Sequence, residues 1–105
     1  MEKLIRDGKV AVLYSPGFGA GWFTWNTYAP ECLFDPEIVK IVLGEERGNI
    51  EEIAESKWAT NDNYFYAGGW RDLEVEWLDE GSEFVIDEYD GSESIKTRAS
   101  TCLAY

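Results

Sequence analysis

The run SPGFGAGWFTWN at residues 15–26 combines three glycines and four aromatics with no charge. Glycine-rich backbone can turn its N–H groups toward an anion, and an aromatic face can stack on a base or sugar. Gly17, Gly19 and Gly21 are therefore candidate phosphate contacts, Trp22 and Trp25 candidate stacking faces, and Asn26 a candidate for orienting polar edges. Arg71 stands between a second glycine-aromatic turn, AGGW, and an acidic strand. Its guanidinium can grip a phosphate or neutralise Asp72. The same residues also admit a reading without a ligand. The glycines then serve sharp turns, and the aromatics fill a core short of leucine.

Several chemistries are set aside by residue type and spacing. G-x-G-x-G departs from the dinucleotide fingerprint, because Trp22 stands where the last glycine is needed and no amphipathic helix follows at once. The loop lacks the Lys-Ser or Lys-Thr ending of a phosphate-binding loop. The chain has no histidine, which removes histidine metal sites and histidine-dependent nucleophilic triads. DEYDGSE lacks the twelve-residue spacing of a calcium loop. No catalytic residue, metal or cofactor is expected. The preferred function is a noncatalytic small-ligand binder, with a nucleotide as the ligand.

A second class of function follows from charge. The formal net charge is −12, and residues 72–93 hold ten acids and no base. Such a surface repels nucleic acid and anionic membrane, so direct binding to either is not expected. It can imitate a nucleic-acid backbone and so inhibit a basic nucleic-acid-binding partner protein, and Glu74, Glu76, Asp87, Glu88 and Glu93 are the candidate interaction residues. Acid that simply keeps an aromatic-rich chain soluble is the alternative. A third class is a homo-oligomer in which the aromatics cross between subunits.

These residues must be positioned by one α+β domain over 1–105, a length that suits a single core. KVAVLYS reads as an amino-terminal strand, apolar on both faces and therefore central or covered. DPEIVKIVLG reads as a short helix capped by Asp35, opened by Pro36 and ended by Gly44. NIEEIAESKW reads as a second short helix, with Asn49 and Glu52 as a reciprocal cap. A carboxy-terminal antiparallel meander begins with RDLEVEWL, where Leu73, Val75 and Trp77 alternate with Asp72, Glu74 and Glu76. It continues as a hairpin about Asp90 and Gly91, with Tyr89 facing Ser92, Ile86 facing Ile95, Phe84 facing Thr97 and Glu83 facing Arg98. Cys32 and Cys102 are expected as reduced thiols. No membrane span or secretory leader is read, and a cytoplasmic setting is expected.

GKVAVLYSPGFGAGWFTWN, DPEIVK and YDGSESI together resemble a group of small proteins encoded by bacteriophages. The resemblance implies an accessory protein acting in a bacterial host, in an anti-defence role such as sequestering a nucleotide signal. It carries no site residues across.

Overall fold

Two Asp-Gly pairs set the local geometry of the sheets. In the computed structural model, which describes residues 2–17 and 21–97, Asp7 and Gly8 both have positive φ, as do Asp90 and Gly91. Two consecutive left-handed residues make the tight turn whose twist matches a hairpin. The first turn joins β1 (Ile5–Arg6) to β2 (Lys9–Tyr14), and the second joins β4 (Phe84–Tyr89) to β5 (Ser92–Thr97). Between them lie α1 (Pro36–Val42), α2 (Ile50–Trp58) and β3 (Glu74–Asp79), giving an α+β fold with an amino-terminal strand, two short helices and carboxy-terminal antiparallel strands.

Strand β3 does not extend the hairpin into a continuous meander. It pairs with β2 in antiparallel register from Lys9↔Asp79 to Tyr14↔Glu74, giving the order β1-β2-β3, while β4 and β5 form a separate two-stranded sheet. A strand apolar on both faces is best buried at the centre of a sheet, and β3 supplies the second flank that β2 requires. Gly81, at φ 82°, turns the chain away from the sheet before β4.

The two faces of β2 organise two cores. Ala11 and Leu13 point to the helices and pack with Trp22, Ile38, Val39, Ala54, Trp58 and Phe65. Val10 and Val12 point the other way, toward Leu33 and Phe34 and the inner face of the hairpin, where Phe84, Ile86 and Ile95 lie. The hairpin register is Tyr89↔Ser92, Ile86↔Ile95 and Phe84↔Thr97, as alternation predicts. On its outer face Lys96 Nζ sits 2.7 Å from Asp87, an exposed cross-strand pair. The expected contact of Glu83 with Arg98 lies outside the described residues, as do Cys102 and the tail from 98 onward.

The Asp35 cap forms as the sequence predicts, while of the reciprocal pair expected at Asn49 and Glu52 only the Asn49 side-chain bond is found among the described residues. Asp35 accepts from the Ile38 N–H at 3.1 Å, and Asn49 accepts from the Glu52 N–H at 3.0 Å. Gly44 leaves α1 at φ 80°, a conformation costly for other residues. Lys57, near the end of α2, reaches Asp35 at 2.8 Å and Glu37 at 3.1 Å, tying the two helices together.

Candidate functional site

Strand β2 delivers the chain into the glycine loop at Ser15, and the hairpin brings Glu93 to the same place. The Ser15 N–H donates to Glu93 Oε1, while the Trp22 N–H, the Thr24 N–H and the Thr24 hydroxyl all donate to Oε2, each at 2.9 Å. The Glu93 N–H in turn donates to the Ser15 carbonyl at 2.8 Å, and the Ser92 hydroxyl donates to the Pro16 carbonyl at 2.6 Å. Glu93 is 1% exposed, and the ion pairs among the described residues leave it out. A buried carboxylate is tolerable when its lone pairs are filled by well-aimed donors, and four of them converge here.

The second glycine-aromatic turn crosses the loop from behind. The Ser15 hydroxyl donates to the Gly69 carbonyl at 2.9 Å. A side chain at Gly69 would collide with the backbone of Gly21, whose nitrogen lies 2.7 Å from the position a Cβ would take. The crossing therefore requires glycine at 69, for closeness rather than for φ. Asn26 stitches the same two segments: its Nδ2 donates to the Trp22 and Tyr66 carbonyls at 2.5 and 2.7 Å, and its Oδ1 accepts from the Tyr66 N–H at 2.8 Å.

The candidate ligand residues accordingly divide. Trp22 is wholly buried, edge-on to Trp58 and Phe65 at 6.2 and 5.3 Å, with its indole N–H donating to the Cys32 carbonyl. Asn26 is likewise buried, with its amide used on backbone. Neither presents a face to a ligand, because the loop folds them inward to complete the helical core. Gly21 is buried as well, at φ 148°, and its missing side chain makes room for the Trp25 ring. Gly19 lies outside the described residues. Trp25 remains 55% exposed and meets Tyr66 edge-on at 6.3 Å.

Gly17 and Arg71 do come together. They line a depression of about 400 Å³ with Pro16, Asp72, Leu73 and Glu74. The Arg71 guanidinium lies 5.3 Å over the Trp70 ring, and the ion pairs of the described residues do not include a bond from Arg71 to Asp72. One cation and two carboxylates at this rim do not favour a phosphate.

The acidic candidates divide in the same way. Glu74, Glu76, Asp87 and Glu88 are exposed. Glu93 departs from the expected surface display, because its position opposite Glu88 in the register turns it inward on the same strand face as Ile95 and Thr97. That parity was the available signal for its role. Glu74 and Glu76 share a face of the sheet with Tyr14, whose hydroxyl is held above its ordinary pKa by burial and then by these two carboxylates. Burial, reinforced by the Glu93 charge, likewise pushes the Cys32 thiol up, so it is held as the neutral, unreactive form.

The arrangement can therefore do two things. It fixes a loop through a buried carboxylate, and it leaves exposed both a set of carboxylates and, separately, the Trp25–Tyr66 aromatic pair. Among the described residues no group of three His, Cys, Asp or Glu side chains is placed to hold a metal ion. None of their helices is long and apolar enough to cross a membrane. No family model, curated protein or solved structure matches the chain.

Proposed function

We propose that the protein is a noncatalytic interaction module whose acidic face engages a basic segment of a partner protein. The observation that carries this reading is the distribution of carboxylates. Glu93 is withdrawn to satisfy the loop, whereas Glu74 and Glu76 stand together beside Tyr14 on β3, and Asp87 and Glu88 stay on the hairpin surface. Three loop N–H groups that an incoming phosphate would need already donate to Glu93, which weighs against a phosphate ligand in this conformation. Acid that imitates a nucleic-acid backbone favours a basic nucleic-acid-binding protein as the partner, and the resemblance to bacteriophage-encoded proteins suggests a bacterial host as its setting.

Titration with a lysine-rich peptide at low and high salt tests the reading. Binding should weaken steeply with salt and disappear in a Glu74→Lys, Glu76→Lys, Asp87→Lys, Glu88→Lys variant. Absence of binding at low salt, or binding that survives both changes, counts against it.

A second reading, a binder of a small aromatic ligand such as a nucleotide, rests on Trp25 and Tyr66, whose rings are partly exposed and in contact. Native mass spectrometry with a nucleotide panel separates the two, since only this reading expects a discrete adduct. The same spectrum reports subunit number and so tests the homo-oligomer.

A further inference from the structure

Strand β3 uses one of its two edges. The Glu80 N–H donates to the Gly8 carbonyl at 3.0 Å, which continues the ladder with β2 past Lys9↔Asp79. Hydrogen-bonded pairs alternate along an antiparallel ladder, so Leu78, Glu76 and Glu74 turn their N–H and C=O groups toward Val10, Val12 and Tyr14. On the far side of β2 the Ala11 N–H donates to the Leu4 carbonyl at 3.0 Å, the parity that this arrangement requires. The backbone groups of Val75 and Trp77 therefore point away from β2. Among the described residues no further strand lies on that edge, and none of the turn and loop backbone bonds reaches Val75 or Trp77. The Asp79 carbonyl accepts from the Ser82 N–H at 3.0 Å, which closes the edge at its carboxy-terminal end.

An exposed edge is a template for another strand, and its side chains decide which strand it admits. Glu74 and Glu76 are exposed on one face, about 7 Å apart along the strand, while Val75 and Trp77 are half-exposed on the other. Two copies of β3 laid side by side would bring these carboxylates together, a destabilising arrangement that disfavours a second copy of the chain.

We propose that the outer edge of β3 takes an extended segment of the partner as an added antiparallel strand, with Lys or Arg at alternate positions and apolar residues between them. The basic residues lie opposite Glu74 and Glu76, at the non-hydrogen-bonded positions where facing side chains are closest. The apolar residues lie opposite Val75 and Trp77 and exchange N–H and C=O bonds with them. This inference rests on the acidic-face reading above and adds how the segment is held: backbone bonds supply affinity, and the two-residue spacing of the carboxylates supplies selection.

The probe is the peptide Thr-Lys-Val-Lys-Val-Lys-Thr at low salt, unmodified, N-methylated at both valines, or N-methylated at two of the lysines. Methylation of the valines removes the N–H groups aimed at β3, so Kd should rise by roughly tenfold or more. The lysine N–H groups face solvent in the added strand, so their methylation should change Kd by less than about threefold. Saturation with the unmodified peptide should slow amide hydrogen exchange at Val75 and Trp77 by roughly tenfold or more. Equal effects of the two methylations, or unchanged exchange at Val75 and Trp77, overturn the added strand while salt-sensitive binding still upholds the acidic face. Absence of binding by every form of the peptide overturns both.

Discussion

Replacing Glu93 by alanine should cost about 4 kcal/mol of stability, an effect unusual for an acidic residue in so acidic a chain. The variant strips the acceptor from three backbone N–H groups and one hydroxyl in a buried site. A buried donor left without a partner costs roughly 1–3 kcal/mol, and the Thr24 hydroxyl can rotate to another acceptor. Three N–H groups therefore place the loss at about 3–9 kcal/mol, and water entering the vacated space brings it to the lower half of that range. Domains of this size have about 5–15 kcal/mol in total, so the variant should be marginal. Urea unfolding followed by tryptophan fluorescence reads the change as a fall in midpoint of roughly 2 M at a typical urea dependence. Glu93→Gln provides the internal control. Its amide oxygen can occupy the place of Oε2, where three donors meet, leaving its NH2 opposed only to the Ser15 N–H. A loss of about 2 kcal/mol is expected. An alanine variant within about 1 kcal/mol of the native protein, or a glutamine variant as damaged as alanine, would refute the assignment of the loop's stability to this carboxylate.

Trp22→Ala should cost about 3–5 kcal/mol, and Trp25→Ala less than about 1, because only the first ring is enclosed; thermal melts by circular dichroism that showed equal losses would contradict this. Gly69→Ala should destabilise by about 1–3 kcal/mol by forcing apart the backbones at Gly21, a loss readable in the same melts. Tyr14 should ionise above its ordinary value of 10.0, because burial first and then Glu74 and Glu76 oppose the phenolate. The folded state thus keeps a proton the unfolded chain releases, and this contribution to stability falls as pH rises past 10.0. Absorbance titration at alkaline pH checks it, and Glu74→Gln with Glu76→Gln should move the Tyr14 transition back toward the ordinary value.

Features governed by neighbours along the chain were legible in the sequence. Asp35 and Asn49 cap helices because their side chains reach N–H groups three residues ahead, and the register about Asp90–Gly91 follows from a two-residue turn and alternation. The Asp7–Gly8 hairpin carried the same signal, although its first strand is only two residues long. Alternation also identified the faces of β3, but it is silent about which strand lies alongside, and β2 took that place. Glu93 shows the limit most clearly. Its parity with Ile95 and Thr97 points inward, yet residue type argues for the surface, and only the distant loop's donors resolve the conflict. Trp22 and Trp25 have the same composition signal, and the turn between them decides which ring enters the core.

The pairing of β2 with β3 also orders events during synthesis. The apolar run of β2 leaves the ribosome about 60 residues before its partner, because Tyr14 pairs with Glu74. At translation rates of roughly 5–20 residues per second, that run spends about 3–12 s with only the two-residue β1 beside it. During this interval VAVLY is an uncharged, strand-forming segment with an open edge, the kind of sequence that pairs with other nascent chains. Arg6, Asp7 and Lys9 stand immediately before it and act as charged gatekeepers. A chain interrupted before residue 74 therefore keeps the adhesive strand and loses the one that covers it, and should collect in the insoluble fraction.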